Sequence, residues 1–172
     1  GTLGPACPTS WHATHTRTPS ARPAQVRTTG QYTRAVVELL GLRDAYQVDA
    51  VAYGRRFPGS RRYPHFARDA LAETLPAHGI AYQWLAQLGG RRKAQPDSTN
   101  TAWRNAAFRG YADHLASAEF AEGLEQLLAL ATRRRTTLMC AEALWWRCHR
   151  AFIADVLGAR GIKVVHILHP TP

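Results

Sequence analysis

The chain has 172 residues, 45% hydrophobic and 20% charged, which describes ordinary globular material and excludes a disordered chain. No apolar run approaches the roughly 20 residues of a membrane-spanning helix, and three cysteines exclude a disulfide scaffold, so reduced thiols in a cytoplasmic protein are expected. The formal net charge is +10, with all but Lys93 and Lys163 of the 22 basic residues being arginine, which leaves open a solvated basic surface, inflated by GC-rich codon usage, or attraction to phosphate, nucleotide or nucleic acid.

Residues 1 to about 30 are rich in Pro, Thr and Arg, contain no acid, and have no period of 2 or 3.6. They are expected to be irregular or disordered. Residues 31–172 then read as one α/β domain. Val36, Val37, Leu39 and Leu40 predict a helix ending near Gly41. Val48 to Tyr53 is a short strand-prone run, and Asp69 to His78 is a helix stopped by Gly79. Ile80 to Leu85 gives a second strand. Residues 104–133 are strongly helical, with a break near Ser117. Thr136 to Cys140 gives a third strand, Cys148 to Arg160 a helix, and Lys163 to Leu168 a last strand. This alternation predicts a three-layer α/β sandwich on a mostly parallel sheet. The nearly continuous apolar character of Val164 to Leu168 fits a strand buried on two faces.

Open parallel sheets bind ligands outside the carboxyl ends of their strands. The unusual residues fall after strands. Arg55, Arg56, Arg61 and Arg62 surround the turn Pro58-Gly59, with Ser60 able to bind an oxyanion. Gly89, Gly90, Arg91 and Arg92 follow the next strand, and Cys140, Glu142, Cys148, His149 and Arg150 follow the third. Three loops at one sheet edge would share one basic crevice for a phosphate-bearing small molecule or a nucleic acid. Arg55, Ser60, Arg61, Arg62 and Arg150 are the candidate ligand-binding residues.

Cys140, Glu142, Cys148 and His149 are the candidate catalytic set. A cysteine at a strand end is a nucleophile only if cations or a helix N-terminus lower its pKa, and Arg147 and Arg150 are the nearby cations. The spacing departs from the Cys-x5-Arg loop of thiol phosphatases, because the sixth residue after Cys140 is Trp146. It also lacks the paired spacing of a zinc site, so no metal is expected, and no cofactor can be named. Plain alternatives stand beside each role: buried core residues for Cys140 and Cys148, ion pairing with Arg150 or Arg55 for Glu142, and packing for Trp145 and Trp146. Asn105 and Arg109 are further candidates to reach the crevice.

These motifs together resemble the domain of unknown function 488 family. The resemblance rests on Arg55 to Arg62 through Pro64-His65-Phe66, the turn Leu88-Gly89-Gly90, the segment Trp103-Arg104-Asn105 to Phe108-Arg109-Gly110-Tyr111, and Leu138 to Glu142 with Cys148-His149-Arg150. It spans about residues 48 to 168. It implies a compact α/β domain, usually bacterial or archaeal and cytoplasmic, with no known reaction. The family pattern opens with a strand ending in Gly-His-Ser, for which the nearest echo here is Thr14-His15-Thr16-Arg17, so a missing first strand and an exposed sheet edge are allowed for. Where the family has an Asp-Val pair before the arginine, this chain has Tyr53-Gly54.

Overall fold

The computed structural model describes residues 25–31, 34–59 and 63–169. Five strands, β1 (Gln25–Gly30), β2 (Ala50–Tyr53), β3 (Ala81–Trp84), β4 (Thr136–Cys140) and β5 (Lys163–Ile167), form one sheet in the order β3-β2-β4-β1-β5. Every pairing is parallel.

The side-chain period of 2 sends alternate residues to opposite faces. Ala50, Ala52 and Leu138 meet one core, while Val51, Tyr53 and Met139 meet the other. The first core is closed by α3 (Ala106–His114), α4 (Ala118–Arg133) and α5 (Arg150–Ala159) through Tyr111, Leu124, Leu127 and Ile153. The second is closed by α1 (Val36–Tyr46) and α2 (Arg68–Ala77) through Leu39, Leu42, Leu71 and Leu75. The three-layer α/β reading therefore holds, with the sheet wholly parallel.

Two expectations need correction. No strand is missing at the start of the sheet: Gln25–Gly30, assigned by sequence to an irregular segment, is β1 and lies between β4 and β5. Val26 is its one large apolar side chain. Its threonines are buried because they find partners: Thr28 Oγ1 bonds His166 Nδ1 at 2.7 Å, and Thr29 Oγ1 accepts from Arg34 at 2.9 Å. Residues 1–24, with the Thr14-His15-Thr16-Arg17 echo, lie outside the described residues. The first helix also runs past Gly41 to Tyr46, because Leu42 is fully buried and a left-handed Gln47 (φ 54°) ends it instead. The break near Ser117 is real. Its hydroxyl accepts from Phe120 N and caps α4.

Candidate functional site: a basic cavity over a thiol pair

β2 and β4 are neighbours, yet the chain leaves β2 toward the helices of one face and β4 toward those of the other. That divergence opens a crevice at the carboxyl edge. A cavity of about 160 Å³ lies there, lined by Arg55 and Arg56 after β2 and by Gly90 and Arg91 after β3. Phe57 after β2, Cys140, Ala141 and Glu142 at the end of β4, and His149 ahead of α5 complete the lining.

Glycines allow the loops to close. A Cβ on Gly30 would lie 1.9 Å from Glu142 O, and one on Gly89 would lie 2.2 Å from Arg56 N. Only glycine permits such backbone approach. Arg91 takes a left-handed backbone (φ 60°) that costs a non-glycine residue about 1 kcal/mol. That conformation places it in the lining while its neighbour Arg92 turns inward.

Arg55 donates to the Tyr53 hydroxyl at 3.0 Å, and that hydroxyl also lies 2.8 Å from Gln31 Oε1 and 2.9 Å from Phe66 O. A phenol hydroxyl thus holds Arg55. Among the described residues no carboxylate lies within ion-pair distance of Arg55, Arg56 or Arg91. Glu142 is exposed at the rim and forms no ion pair among the described residues; its backbone oxygen, not its carboxylate, receives Arg150.

Beneath the cavity the two thiols touch, with Cys140 Sγ 3.5 Å from Cys148 Sγ and both side chains buried. Arg150 is 1% exposed. Its Nε donates to Cys148 Sγ at 3.2 Å, its backbone N to the same sulfur at 3.4 Å, and its Nη2 to Glu142 O and Ala143 O. No described carboxylate balances this buried guanidinium. An uncompensated buried charge is costly, and the Cys148 thiolate is the anion placed to compensate it. The Cys140 S–H donated to Cys148, followed by the Arg150 charge and N–H groups, draws the Cys148 pKa down to about 6. The same sulfur–sulfur hydrogen bond and burial push Cys140 well above the ordinary thiol range. Both effects favour the proton on Cys140 and the negative charge on Cys148.

His149 Nε2 donates to Gly54 O at 3.0 Å. That bond fixes the tautomer and leaves Nδ1 as the ring's lone pair. Burial, reinforced by the Arg150 charge, draws its pKa down to about 4, so the ring is neutral at physiological pH. Cys140 Sγ, Cys148 Sγ and one His149 ring nitrogen lie within 4.8 Å of one another. Two sulfurs and an imidazole suit a soft or borderline metal. Sequence spacing set a metal aside; the fold gathers three donors that the spacing hides.

The other expected residues separate. Ser60, Arg61 and Arg62 lie outside the described residues. Arg150 does not line the cavity, because it is folded under the thiols. Asn105 caps α3 by accepting from Ala107 N and Phe108 N, and Arg109 donates to Trp103 O, so neither lines the cavity. Trp145 stacks on His166 at 3.9 Å, while Trp146 is exposed. Arg92 is also structural: it is ion-paired to Glu119 at 2.7 Å and bonded to Gly89 O, Ala86 O and Gln87 O. Sequence reasoning did not single out Gly30 or the Gly54 carbonyl, which position the cavity wall. A Gly ending an unrecognised strand was the available signal for Gly30.

Among the described residues no helix is long and apolar enough to cross a membrane. No curated protein and no solved structure matches the chain. Residues 35–157 match one family model, described as Domain of unknown function DUF488. That segment runs from α1 through most of α5, and contains both the arginine loop after β2 and the Cys140 to Arg150 loop. With its cavity-lining residues all inside the matched stretch, the chain belongs to the DUF488 family of α/β domains.

Proposed function

We propose that this domain binds a small phosphate-bearing anion in the cavity at the carboxyl edge of the sheet and brings it against the Cys140 thiol. The observation that carries the reading is the placement of three arginines, Arg55, Arg56 and Arg91, with no carboxylate partner among the described residues, around one concave site beside Cys140 and His149. Guanidinium groups match the planar, bidentate geometry of phosphate oxygens. The site lies where parallel sheets place their ligands. At about 160 Å³ the cavity is smaller than the sites that enclose drug-sized molecules, which favours one anionic group as the buried portion.

In this reading Arg55, Arg56 and Arg91 hold the charge, Tyr53 orients Arg55, and the neutral His149 offers Nδ1 as a hydrogen-bond acceptor. Arg150 acts indirectly by positioning Cys148. A phosphate bound here would face a thiol whose proton is shared with a neighbouring thiolate, an arrangement suited to proton transfer at sulfur.

Calorimetric titration with inorganic phosphate and with a nucleoside monophosphate, at low and moderate salt, tests the reading. Arg55→Ala and Arg91→Ala are each expected to weaken binding about tenfold, the loss of one charge-assisted contact. Arg133→Ala, remote from the cavity at the end of α4, leaves it unchanged. Absence of binding at low salt, or equal affinity in all variants, contradicts the assignment. Binding of single-stranded oligonucleotide but of neither small anion would move the function to a nucleic-acid module.

A further inference from the structure

We propose that Cys140 and Cys148 form a two-electron redox centre, in which the Cys148 thiolate reduces a small hydroperoxide and Cys140 closes the product to a disulfide. The inference goes beyond the anion site and stands on the sulfur contact and the buried arginine.

Buried cysteines that only pack carry no charge partner. This pair departs from that pattern in three ways. The sulfurs are 3.5 Å apart, so closure to a disulfide of about 2.05 Å requires a relative approach of roughly 1.5 Å. Arg150 directs two N–H donors at one sulfur and none at the other, which makes the pair unequal. Cys140 lines the cavity and Cys148 lies directly behind it, 4% exposed, so the co-reactant must be small.

The chemistry balances. The Cys148 thiolate attacks the terminal oxygen of R–O–OH; the O–O bond breaks, R–O⁻ leaves and is protonated to R–OH, and Cys148 becomes a sulfenic acid. Cys140, as its thiolate, attacks the Cys148 sulfur. As the S–S bond forms, the S–OH bond breaks and the departing hydroxide leaves as water with the proton that Cys140 gave up on becoming a thiolate. Two thiol equivalents are oxidised and one hydroperoxide is reduced. A small dithiol can restore the pair by exchange.

The same arginine sets the direction of that exchange. A disulfide leaves the Arg150 charge buried with no anion, whereas the reduced state supplies one. Stabilising the reduced form makes the disulfide an easily reduced one, so the centre is expected to cycle.

The test uses the full chain with Cys7→Ser, to remove the remaining cysteine, reduced and freed of reductant, with hydrogen peroxide as probe. Stoichiometric peroxide at neutral pH is expected to remove both free thiols and join the Cys140 and Cys148 peptides, and dithiothreitol to reverse it. In Cys140→Ser the reaction stops at a sulfenic acid that dimedone traps on Cys148. Arg150→Met, which takes the charge and the Nε–H donor away from the Cys148 sulfur, is expected to slow oxidation at pH 7 about tenfold. If Arg150→Met does not fold, Cys148→Ser supplies the second test, because Cys140 alone is then expected to resist stoichiometric peroxide. The proposal is overturned by peroxide-resistant thiols, by trapping on Cys140 instead of Cys148, or by a tightly held metal ion that must be stripped before either thiol reacts. None of these outcomes bears on phosphate binding, so the two readings fail separately.

Discussion

Two arginines are almost fully buried, and they are balanced differently. Arg92 clamps the turn after β3: three backbone oxygens and the Glu119 carboxylate surround it, and Glu119 is held below the usual carboxylate range by that contact. Arg150 clamps the loop after β4: two backbone oxygens and a sulfur surround it, with no described carboxylate. Both tie a loop to the carboxyl edge of the sheet. The first completes its charge balance with a residue of no other use, while the second completes it by ionising a thiol next to a cavity. The anion chosen to meet a buried cation separates a structural clamp from a reactive site.

Substitution at the two arginines breaks the comparison most strongly. Arg150→Met should cost about 3 kcal/mol of stability, since it removes N–H donors from two buried carbonyls and a counter-charge from Cys148, and it should raise the pH at which Cys148 ionises. Arg92→Met should cost about 2–3 kcal/mol in chemical denaturation, slightly less because Glu119 can be rehydrated at the surface, and should leave thiol ionisation untouched. Equal effects on the thiols would remove the distinction.

Acid sharpens it further. The unfolded state protonates His149 near 6.5, while the folded state resists until about 4. The unfolded chain therefore binds more protons between those values, and stability rises with pH across them. A loss of about 2–3 kcal/mol from pH 7 to pH 4 is expected from this residue, with His114 and His166, both drawn down chiefly by burial, acting in the same direction. Denaturation of His149→Gln across that range should show a shallower slope; an unchanged slope would contradict the placement of the ring.

Tyr53→Phe is the mildest change. It removes the hydroxyl that receives Arg55 and should cost about 1 kcal/mol, with weaker phosphate binding because Arg55 loses its orientation. Tyr53→Asp should weaken it further, since a carboxylate beside Arg55 cancels the charge the cavity offers. Tighter phosphate binding in Tyr53→Asp would mean that the family's usual acid serves the ligand and not the arginine.

Much of the architecture was legible in the sequence. β4 and β5 both appear within a residue of their expected ends, and β4 is buried along its whole length, but β5 forms a sheet edge and is only partly buried, so the two-sided burial expected for Val164 to Leu168 does not hold. β1 was hidden because its interior position is filled by satisfied threonines and not by aliphatic side chains, so neither periodicity nor hydrophobicity marks it. The end of α1 was misplaced because Gly41 sits in open space and does not interrupt a helix whose next residue is buried.

The site was legible as a place and less so as a division of labour. Arginines after β2 and β3 and a cysteine after β4 do meet. Arg150 reads from sequence as another phosphate ligand, and only its burial assigns it to the sulfur. Cys148 and His149 were expected to share one crevice with Cys140, and the turn before α5 does bring the three together; what the spacing hid is that their donor atoms lie within 4.8 Å of one another.

The central claim is that Cys148 is the anion balancing Arg150. Ultraviolet thiolate absorbance, followed from pH 4 to pH 9 in the Cys7→Ser protein and in its Cys148→Ser and Arg150→Met derivatives, reads that ionisation directly. One thiolate should appear near pH 6, vanish in Cys148→Ser and move to higher pH in Arg150→Met. Two silent thiols up to pH 9, or a low titration that survives Cys148→Ser, would contradict it.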